Sequence, residues 1–373
     1  MKWPTRTIGH LVSLQRGHDL TDADRVEGAI PVIGSAGPNG CHNKAIATGP
    51  GVTIGRSGAS IGKVTFVAED YWPHNTCFYV TDFKGNDPRF VAYLLGILDL
   101  AHLNSGAAQP SLNRNFVYGV RVAYPDPQVQ VRIASILSAY DDLMENNRRR
   151  MGLLEEAARQ LYREWFVRLR FPGHERAKIT DGLPDGWRRK TLGDLCCDVR
   201  DSAAPAELDP ELPYIGLEHM PRRSIVLNEW GRASEVTSTK LRFRVGDILF
   251  GKIRPYFHKV GVAFTDGIAS SDTIVIRASA PALQSLVLMT VSSDAFVAVV
   301  SQTMREGSKM PRADWKVMQE YARPIPPDSL AASFHTLIEP IVAVLGTLTH
   351  QNRRLRHARD LLLPRLMSGE IEV

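Results

Sequence analysis

The segment Trp3-Pro-Thr-Arg-Thr-Ile-Gly9 recurs in the middle of the chain as Trp187-Arg-Arg-Lys-Thr-Leu-Gly193, at an offset of 184 residues. Both segments follow the pattern W-x-x-x-T-[IL]-G. Self-similarity within one sequence is the signature of repeated structural units, and it decides the architecture before any single element does. We therefore expect each segment to begin one half of a duplicated chain.

Further matches follow in the same order along both halves. They are Lys63-Val64 with Lys259-Val260, Asn75-Thr76 with Asp272-Thr273, Pro110 with Pro311, and Asn146-Asn-Arg-Arg149 with Gln351-Asn-Arg-Arg354, at offsets of 196, 197, 201 and 205. A steadily growing offset is what loop insertions in the second half would produce, because surface loops tolerate added length. Coincidence among common dipeptides explains any one pair but explains the ordered set poorly.

Each half begins with short segments typical of β-strands. In the first half these are Gly51–Gly55 and Lys63–Val67, with Gly55, Gly58 and Gly62 marking the turn between them. The second half offers Asp247–Phe250, Val260–Phe264 and Thr273–Ile276, which are again short and rich in β-branched residues. Such runs bounded by glycine predict strands, so we expect a β-rich globule in each half.

Each half ends in a long amphipathic helix. The first is predicted to begin after Pro125, with Asp126 as its cap and Pro127 in its first turn. Since proline is unfavourable inside a helix, we expect the second to run uninterrupted only from near Pro340 and to stop at Leu363-Pro364. Their seams are predicted to contain Tyr140, Leu143, Asn147, Leu154, Leu161 and Trp165 on the first helix and Leu345, Leu348, Asn352, Leu355 and Leu362 on the second.

Helices of roughly 25 to 35 residues would be about 40 to 50 Å long, which is a length suited to a spacer. If they pack antiparallel, Asn147 and Asn352 can meet and set the register. The alternative is a pair of ordinary core helices with an incidental polar residue. Two further choices stay open. Trp165-Phe166 is either part of the core or a surface on which a partner docks. The basic stretch Asn146–Arg150 is either a solvated helix face or a docking and backbone contact near the centre of a binding site.

The glycine-rich strand region and the loop after it carry a family resemblance. Gly51-Val-Thr-Ile-Gly-Arg-Ser-Gly-Ala-Ser-Ile-Gly-Lys-Val64 followed by Trp72-Pro-His-Asn-Thr76 resembles the target-recognition domain of type I restriction-modification specificity subunits. Three segments of the second half are similar to that family: Leu183–Trp187, Gly246–Val260 and Leu361–Ile371. The resemblance spans essentially the whole chain, in the order domain, helix, domain, helix.

The resemblance implies an α+β fold of two tandem mixed α/β target-recognition domains, each followed by a long helix. The two helices would pair as an antiparallel coiled-coil spacer with pseudo-two-fold symmetry. The implied boundaries are 1–125 for the first domain, 126–168 for the first helix, 169–186 for a linker, 187–326 for the second domain and 327–373 for the second helix and tail. Each domain would read one half of an interrupted DNA site.

The resemblance also implies the partners. Double-stranded DNA is the ligand, two modification subunits supply S-adenosylmethionine chemistry, and restriction subunits supply the motor and nuclease with ATP and magnesium. This chain would bind no cofactor and no metal and would direct methylation and cleavage by the others. A net charge of +5 and a pI near 9.0 suit a polyanionic partner. With no signal peptide and no apolar stretch long enough to cross a bilayer, we expect a cytoplasmic protein without a membrane partner.

The sequence carries no convincing catalytic motif. The segment Gly55–Lys63 is similar to a phosphate-binding loop, but three residues instead of four separate Gly58 from Gly62, and Val64 stands where that loop needs Ser or Thr. Pro326-Pro327-Asp328 is the nearest approach to the base-holding loop of an amino-methyltransferase and lacks its aromatic residue. The four cysteines lack zinc-site spacing. We therefore expect a non-catalytic chain.

Candidate DNA contacts are the basic and amide side chains of the predicted loops, because lysine and arginine bind phosphates while arginine, asparagine and glutamine read base edges. Two repeated loops, Ser105–Asn113 and Glu306–Asp314, are the strongest candidates. The full set is Asn39, Asn43, Lys44, Arg56, Gln109, Asn113 and Arg114 in the first domain, and Arg222, Arg223, Lys252, Arg254, His258, Lys309 and Arg312 in the second.

Three other functions remain open on the sequence. The nearest is a specificity module for a system whose methyltransferase and nuclease share one partner chain. Another is a duplicated β-rich adaptor that binds protein and has no DNA specificity; sequence-dependent, salt-sensitive DNA binding would exclude it. The third is a nucleotide-binding enzyme. For the DNA reader we expect half-sites about one helical turn apart, roughly 10 base pairs.

Overall fold

The computed structural model describes residues 3–106, 109–303 and 311–373. Its internal contacts divide the chain into two compact units. Unit 1 comprises Met1–Met144 together with Arg354–Val373, and unit 2 comprises Glu145–Arg353. Both divisions fall inside long helices, whereas the sequence-based boundaries assigned those helices to segments of their own.

Unit 1 is built from short strands and helices. Its elements are β1 (Thr5–Thr7), α1 (Ile8–Leu11), β2 (Ser13–Arg16), β3 (Ile30–Gly34), β4 (Gly37–His42), β5 (Gly51–Gly55), β6 (Val64–Val67), β7 (Trp72–Pro73), β8 (Cys77–Asp82), α2 (Pro88–Gly96), α3 (Arg114–Gly119), β9 (Arg121–Ala123) and the first half of α4 (Pro127–Tyr162).

The main sheet of unit 1 is antiparallel, with the strand order β2-β8-β5-β6. Val52 and Ile54 of β5 lie in the same apolar cluster as Phe90 and Leu94 of α2. Burying such side chains is the dominant favourable term in folding, about 1.5 to 3 kcal/mol each. A second sheet has the order β4-β3-β7, in which β3 and β7 run parallel, and β1 pairs with β9.

Unit 2 has a longer set of elements. They are β10 (Ile179–Thr180), β11 (Leu183–Pro184), β12 (Arg188–Thr191), β13 (Cys196–Asp198), β14 (Ser202–Ala203), β15 (Pro213–Ile215), β16 (Gly231–Arg232), β17 (Lys240–Phe243), β18 (Ile248–Gly251), β19 (Val260–Val262), β20 (Gly267–Ala269), β21 (Thr273–Ala278), α5 (Gln284–Val291), α6 (Asp294–Gln302), α7 (Trp315–Met318), β22 (Ala322–Ile325) and most of α8 (Asp328–Ser368).

The main sheet of unit 2 repeats the arrangement of unit 1. It is antiparallel with the order β13-β21-β18-β19. The second sheet is larger, β14-β17-β20-β15-β16, but its parallel pair β15 and β20 matches β3 and β7. The pair β12 and β22 matches β1 and β9. The added strands lie before Lys259 and contribute to the rise of the sequence offset from 184 to 196.

Backbone hydrogen bonds fix the equivalence of individual residues. Gly55 N donates to Lys63 O at 2.8 Å, and Gly251 N donates to Lys259 O at the same distance, so the two lysines are equivalent as the sequence predicts. The Asn75–Asp272 match is wrong by one residue. Arg56 N donates to Thr76 O and Lys252 N to Asp272 O, both at 2.8 Å, which makes Thr76 the counterpart of Asp272. Strand register, and not dipeptide identity, sets the pairing.

The predicted limits of the second helix are wrong at both ends. Helix α8 runs from Asp328 to Ser368 through both Pro340 and Pro364. Phe334 and Ile338 before Pro340 and Leu345 after it are buried in one core, while Leu366 and Met367 after Pro364 are buried in another. Packing on both sides of each proline outweighs the loss of one backbone hydrogen bond, since tertiary contacts supply most helix stability.

Helix α4 begins at Pro127, and after Tyr162 the chain continues in a π-helical turn, Arg163–Val167. The predicted seam position Leu143 is wrong, because its exposed fraction is 38% and that of the next residue, Met144, is 1%. Asn147, Trp165, Leu345, Leu348 and Asn352 are buried, and Tyr140, Leu154, Leu161, Leu355 and Leu362 are half-buried. Trp165 packs against Phe334 at a ring-centroid distance of 5.7 Å, so it belongs to the core of unit 2.

Among the described residues, one helix, α8, is long and apolar enough to cross a bilayer when judged by length and composition alone. The expectation that the chain has no such stretch is therefore wrong. A single helix of this kind is weak evidence for a membrane, since helices that cover a protein core have the same composition. Phe334, Ile338 and Leu345 of α8 do cover such a core, whereas Leu337 and Val344 leave part of the helix as exposed apolar surface.

Candidate nucleic-acid interface

Two loops of unit 1 lie side by side at one end of its main sheet. The turn between β5 and β6 contacts the segment before α3 through an isolated bridge between Ser57 and Ser111. Gly58 N donates to Pro110 O at 3.1 Å, and Leu112 N donates to Arg56 O at 2.8 Å. The turn therefore joins two antiparallel strands and does not lead into a helix, which rules out the phosphate-binding loop.

Arg56 lies at the centre of a small polar cluster. Its Nε donates to the carbonyl of Asn75 at 3.3 Å, and the Asn75 amide donates in turn to a carboxylate oxygen of Asp19. A guanidinium nitrogen of Arg16 lies 3.5 Å from the same oxygen. Two arginines, one amide and one carboxylate thus share one surface, which we call the unit 1 polar cluster (Arg16, Asp19, Arg56, Asn75). Such a set offers donors both to phosphates and to base edges.

The other candidates of unit 1 have mixed positions. Gln109 is exposed in the loop beside the cluster. Asn113 accepts from Asn115 N at 2.9 Å and so caps α3, and Arg114 is exposed but gives one donor to Leu14 O at 3.1 Å. Asn39 lies on β4 near the turn to β3, whereas Asn43 and Lys44 follow the other end of β4, where His42 pairs with Ile30. Asn43 and Lys44 are therefore not brought into the cluster.

Unit 2 builds the same pair of loops with different side chains. Ile253 bridges Arg312, Arg254 N donates to Pro311 O at 2.9 Å, and Ala313 N donates to Lys252 O at 2.9 Å. Pro311 thus holds the place of Pro110, as the sequence predicts. Lys252 takes the place of Arg56, and Arg254 takes that of Gly58. Arg254 and Gly58 both have positive φ, 49° and 80° respectively.

Charged groups crowd around Lys252. Its ammonium donates to Ser271 O at 2.9 Å, Arg312 lies 3.4 Å from Asp272, and Arg200 lies 2.7 Å from Asp198. Burial lowers the pKa of Lys252 from its ordinary value, and nearby Arg200 and Arg312 also lower it while Asp198 and Asp272 raise it. A polyanion placed here would favour the charged lysine. We call Asp198, Arg200, Lys252, Asp272 and Arg312 the unit 2 polar cluster.

The remaining candidates of unit 2 divide by exposure. Arg222 lies over the Phe257 ring, 4.0 Å from its centroid, and Arg254 is exposed. Arg223 pairs with Asp294 at 2.9 Å. Lys309 lies outside the described residues, as does the whole of the segment Glu306–Met310.

His258 is wrong as a DNA contact. Its exposed fraction is 2%, and its Nε2 lies 2.8 Å from Ser292 O. Burial lowers its pKa, as do Arg159 and Arg223, against the raising effect of the Ser292 carbonyl and Asp294. The left-handed backbone at this residue, φ 55°, turns the imidazole into the protein instead of toward the loop surface, so its role is structural.

The sequence analysis missed Arg16 and Arg200. In β2 Leu14 pairs with Val80, and in β13 Asp198 pairs with Ile276. Arg16, the last residue of β2, and Arg200, two residues after β13, therefore occupy equivalent positions. Their offset is 184, the same as that of Trp3 and Trp187. This offset is the signal that would have found them. Each unit therefore carries an arginine and a second cation on the same pair of sheet positions.

Metal ligands and thiols among the described residues bear on the chemistry of this site. In 3–106, 109–303 and 311–373 no three His, Cys, Asp or Glu side chains are grouped so that they could hold a metal ion. Cys77 and Cys196 are buried, and burial raises the pKa of each thiol to about 12, so neither is a nucleophile at neutral pH. The donors of the two polar clusters suit phosphate and base edges.

Comparison with known proteins gives a consistent result. Residues 1–156 match the family described as type I restriction modification DNA specificity domain. The specificity subunit of the type I restriction enzyme MjaIX from Methanocaldococcus jannaschii is 23% identical over 293 residues, which cover 74% of this chain and 66% of that relative. That match leaves about a third of the relative's length uncovered. The specificity subunit of the type I enzyme EcoDI from Escherichia coli is 24% identical over 410 residues, covering 99% of this chain and 88% of the relative.

A solved structure shares the fold. The crystal structure of the type I restriction-modification S subunit from M. genitalium matches with a TM-score of 0.64 at 16% identity, covering 98% of this chain and 96% of that one. Identity at this level shows the fold alone, but the fold agrees with the family found from sequence. Residues 1–156 are therefore similar to the type I restriction modification DNA specificity domain, and the chain as a whole is similar to specificity subunits of type I restriction enzymes.

Proposed function

We propose that this chain is the DNA-binding specificity subunit of a type I restriction-modification complex, that it reads a bipartite target, and that it directs methylation and cleavage by partner subunits. One observation carries the proposal. The same pair of loops occurs in both units, and each pair holds a cation at the same position, Arg56 in unit 1 and Lys252 in unit 2, with Arg16 and Arg200 at a second repeated position. Two equivalent binding surfaces suit two half-sites.

The side chains around the repeated cations differ between the units, and this difference is what reading two unlike half-sites requires. Unit 1 presents Asn75 and Asp19 beside Arg56. Unit 2 presents Asp272 and Arg312 beside Lys252. Phosphate contacts position a protein on DNA and carry no sequence information, whereas arginine, asparagine and carboxylate groups distinguish bases in the major groove. We infer that the repeated cations position each unit and the unlike neighbours specify the sequence.

We propose further that the two units are tandem target-recognition domains and that α4 and α8 pair as an antiparallel coiled-coil spacer. Two contacts support this pairing, one in each unit. In unit 1, Arg359 of α8 forms an ion pair with Asp141 of α4, their atoms 2.5 Å apart. In unit 2, Asn147 of α4 donates to Asn352 of α8 at 2.9 Å. Residue numbers fall on one helix as they rise on the other, which is the pattern of antiparallel neighbours.

The proposed complex contains two modification subunits, which bring S-adenosylmethionine, and restriction subunits, which bring ATP and magnesium, in the cytoplasm. The chain itself supplies the address and binds none of these cofactors. Exposed apolar side chains on the long helices, among them Leu143 on α4 and Leu337 and Val344 on α8, are available to protein partners.

Methylome mapping tests the proposal. Methylated bases are located genome-wide by single-molecule sequencing in the host and in a deletion of this gene, with expression of the partner methyltransferase verified in both. We expect the deletion to remove one interrupted motif with half-site centres about 10 base pairs apart. An unchanged methylome, or loss of a continuous motif, would contradict a bipartite reader. An unchanged methylome would favour a protein-binding adaptor only if the purified chain also bound target and scrambled DNA with equal affinity.

A further inference from the structure

The turn that follows Lys252 in unit 2 presents an aromatic side chain that unit 1 lacks. Tyr256 is 52% exposed, while Pro255 before it is buried and Phe257 after it is half-buried. The equivalent turn of unit 1 continues from Gly58 as Ala59 and Ser60. A lone exposed tyrosine is ordinary on a protein surface, so its mounting and surroundings decide its meaning.

The mounting of Tyr256 is rigid. Arg254 and His258, on either side of the turn, are both left-handed at φ 49° and 55°. Phe257 N donates to Arg254 O and His258 N to Pro255 O, each at 2.8 Å, and the turn is tied to neighbouring segments by Arg254 N to Pro311 O and Arg223 N to His258 O, each at 2.9 Å. A side chain on such a turn loses little conformational freedom when it binds.

The surroundings of Tyr256 are basic. Its ring meets the Phe257 ring edge to face, with centroids 5.0 Å apart, and the guanidinium groups of Arg222 and Arg254 lie 4.0 and 5.8 Å from the Phe257 centroid. Lys259, whose pKa is lowered by burial and by Arg222, follows in the chain. Cations of this kind contact phosphates in protein–DNA complexes, so an exposed ring among them is placed to meet the bases between those phosphates.

We propose that Tyr256 is a stacking wedge, which inserts at one base step of the half-site bound by unit 2 and unstacks it, and that unit 1 has no such wedge. This inference rests on the proposed function and deepens it by assigning a specificity-determining residue. The unit 2 half-site would then be selected partly by how easily one of its steps opens, since pyrimidine–purine steps unstack most readily. The unit 1 half-site would be selected by edge contacts alone.

A plasmid unwinding assay tests the wedge. The full-length chain is bound to closed circular plasmid during relaxation by topoisomerase, and the linking-number change per bound chain is measured after the protein is removed. Two plasmids are compared, one with an array of the motif found by methylome mapping and one with a scrambled array. We expect the wild type to unwind the motif array, Tyr256→Ala to lose most of the change at saturation, and Tyr256→Phe to keep it because the ring remains.

Binding measured on the same plasmids separates a failure of the wedge from a failure of the proposed function. From the value of base–aromatic stacking, Tyr256→Ala is expected to bind the motif array roughly 5- to 150-fold more weakly. Ile179→Ala, which removes another exposed apolar side chain of unit 2, should bind and unwind as the wild type does. Tyr256→Ser repeats the test if the alanine variant is unstable. Equal unwinding per bound chain by wild type and Tyr256→Ala would overturn the wedge alone. Equal binding of both arrays by the wild type would overturn the proposed function instead.

Discussion

The side-chain amide of Asn147 donates a 2.9 Å hydrogen bond to the side-chain oxygen of Asn352 inside unit 2. Both residues are buried, and the same amide lies 3.2 Å from the Gln351 side-chain oxygen. They are also repeat counterparts, at an offset of 205 residues. A buried amide pair is weaker than an apolar pair but penalises every register in which an asparagine faces an apolar side chain.

Replacement of Asn147 by leucine should therefore destabilise unit 2. The variant removes the donor to Asn352 and places an apolar group against buried amide oxygen, which costs about 1 to 3 kcal/mol. Urea unfolding monitored by circular dichroism measures the change as a lower midpoint. The double variant Asn147→Leu/Asn352→Leu should recover most of the loss, because both polar groups are gone. A double variant as unstable as the sum of two single variants would show that the asparagines act independently.

The sequence predicts what local pattern and repetition encode. The offset of 205 pairs Asn147 with Asn352, and the glycines around the β5–β6 turn locate the loop that holds Arg56. It does not predict the course of α8 through Pro340 and Pro364, because proline is a local signal, whereas the packing that sustains the helix comes from residues distant in sequence, such as Trp165 against Phe334. The prediction places Leu143 on the seam in place of Met144 for a related reason: steps of three and four define a seam only to within one residue.

The candidate site is predicted at the level of loops and not of side chains. Lys252 and Arg312 lie on the predicted loop pair. His258 lies in the turn that follows Lys252, but its side chain points inward because its backbone is left-handed. Sequence alone does not specify which non-glycine residue adopts that conformation. Arg16 is the last residue of a strand and Arg200 follows one, so a search confined to glycine-rich loops passed over them.

Lys252→Gln should weaken DNA binding in a salt-dependent way. Removing one phosphate contact is expected to reduce the slope of log K against log salt by about one and to weaken binding to all sequences similarly. Fluorescence anisotropy over a range of salt concentrations, with target and scrambled duplexes, measures both. Lys178→Gln is the matched control, an exposed lysine of unit 2 away from the polar cluster. An unchanged slope for Lys252→Gln would mean that this ammonium does not contact phosphate.

Gly55→Ala should damage the unit 1 loop pair. A Cβ built at Gly55 lies 2.2 Å from Ser60 O and 2.7 Å from Ser35 O, so the backbone that positions Arg56 must move. Displacing packed groups typically costs about 1 to 3 kcal/mol, and DNA affinity should fall with it. Gly96→Ala, at the end of α2 where a Cβ meets nothing within 4 Å, is the control. Thermal unfolding and anisotropy measure the two effects, and a Gly55→Ala protein with unchanged affinity would separate the turn from DNA binding.

The buried imidazole of His258 should make unit 2 less stable in mild acid. Burial lowers the pKa of His258 in the folded state, so near and below the ordinary value of about 6.5 the unfolded chain binds more protons than the folded one. Stability contributed by the neutral imidazole is fully present above that value and is lost as pH falls toward the folded pKa, with a slope of at most about 1.4 kcal/mol per pH unit. The charged groups nearest to it are Asp294, 3.4 Å away, which raises the pKa, and Arg159 and Arg223, which lower it.

Urea midpoints at pH 7.5 and 5.5 should therefore differ more for the wild type than for His258→Gln, whose amide retains a donor for Ser292 O but does not titrate. Equal pH dependence in the two proteins would mean that other groups, such as Glu155, whose pKa is raised by burial, govern the acid response.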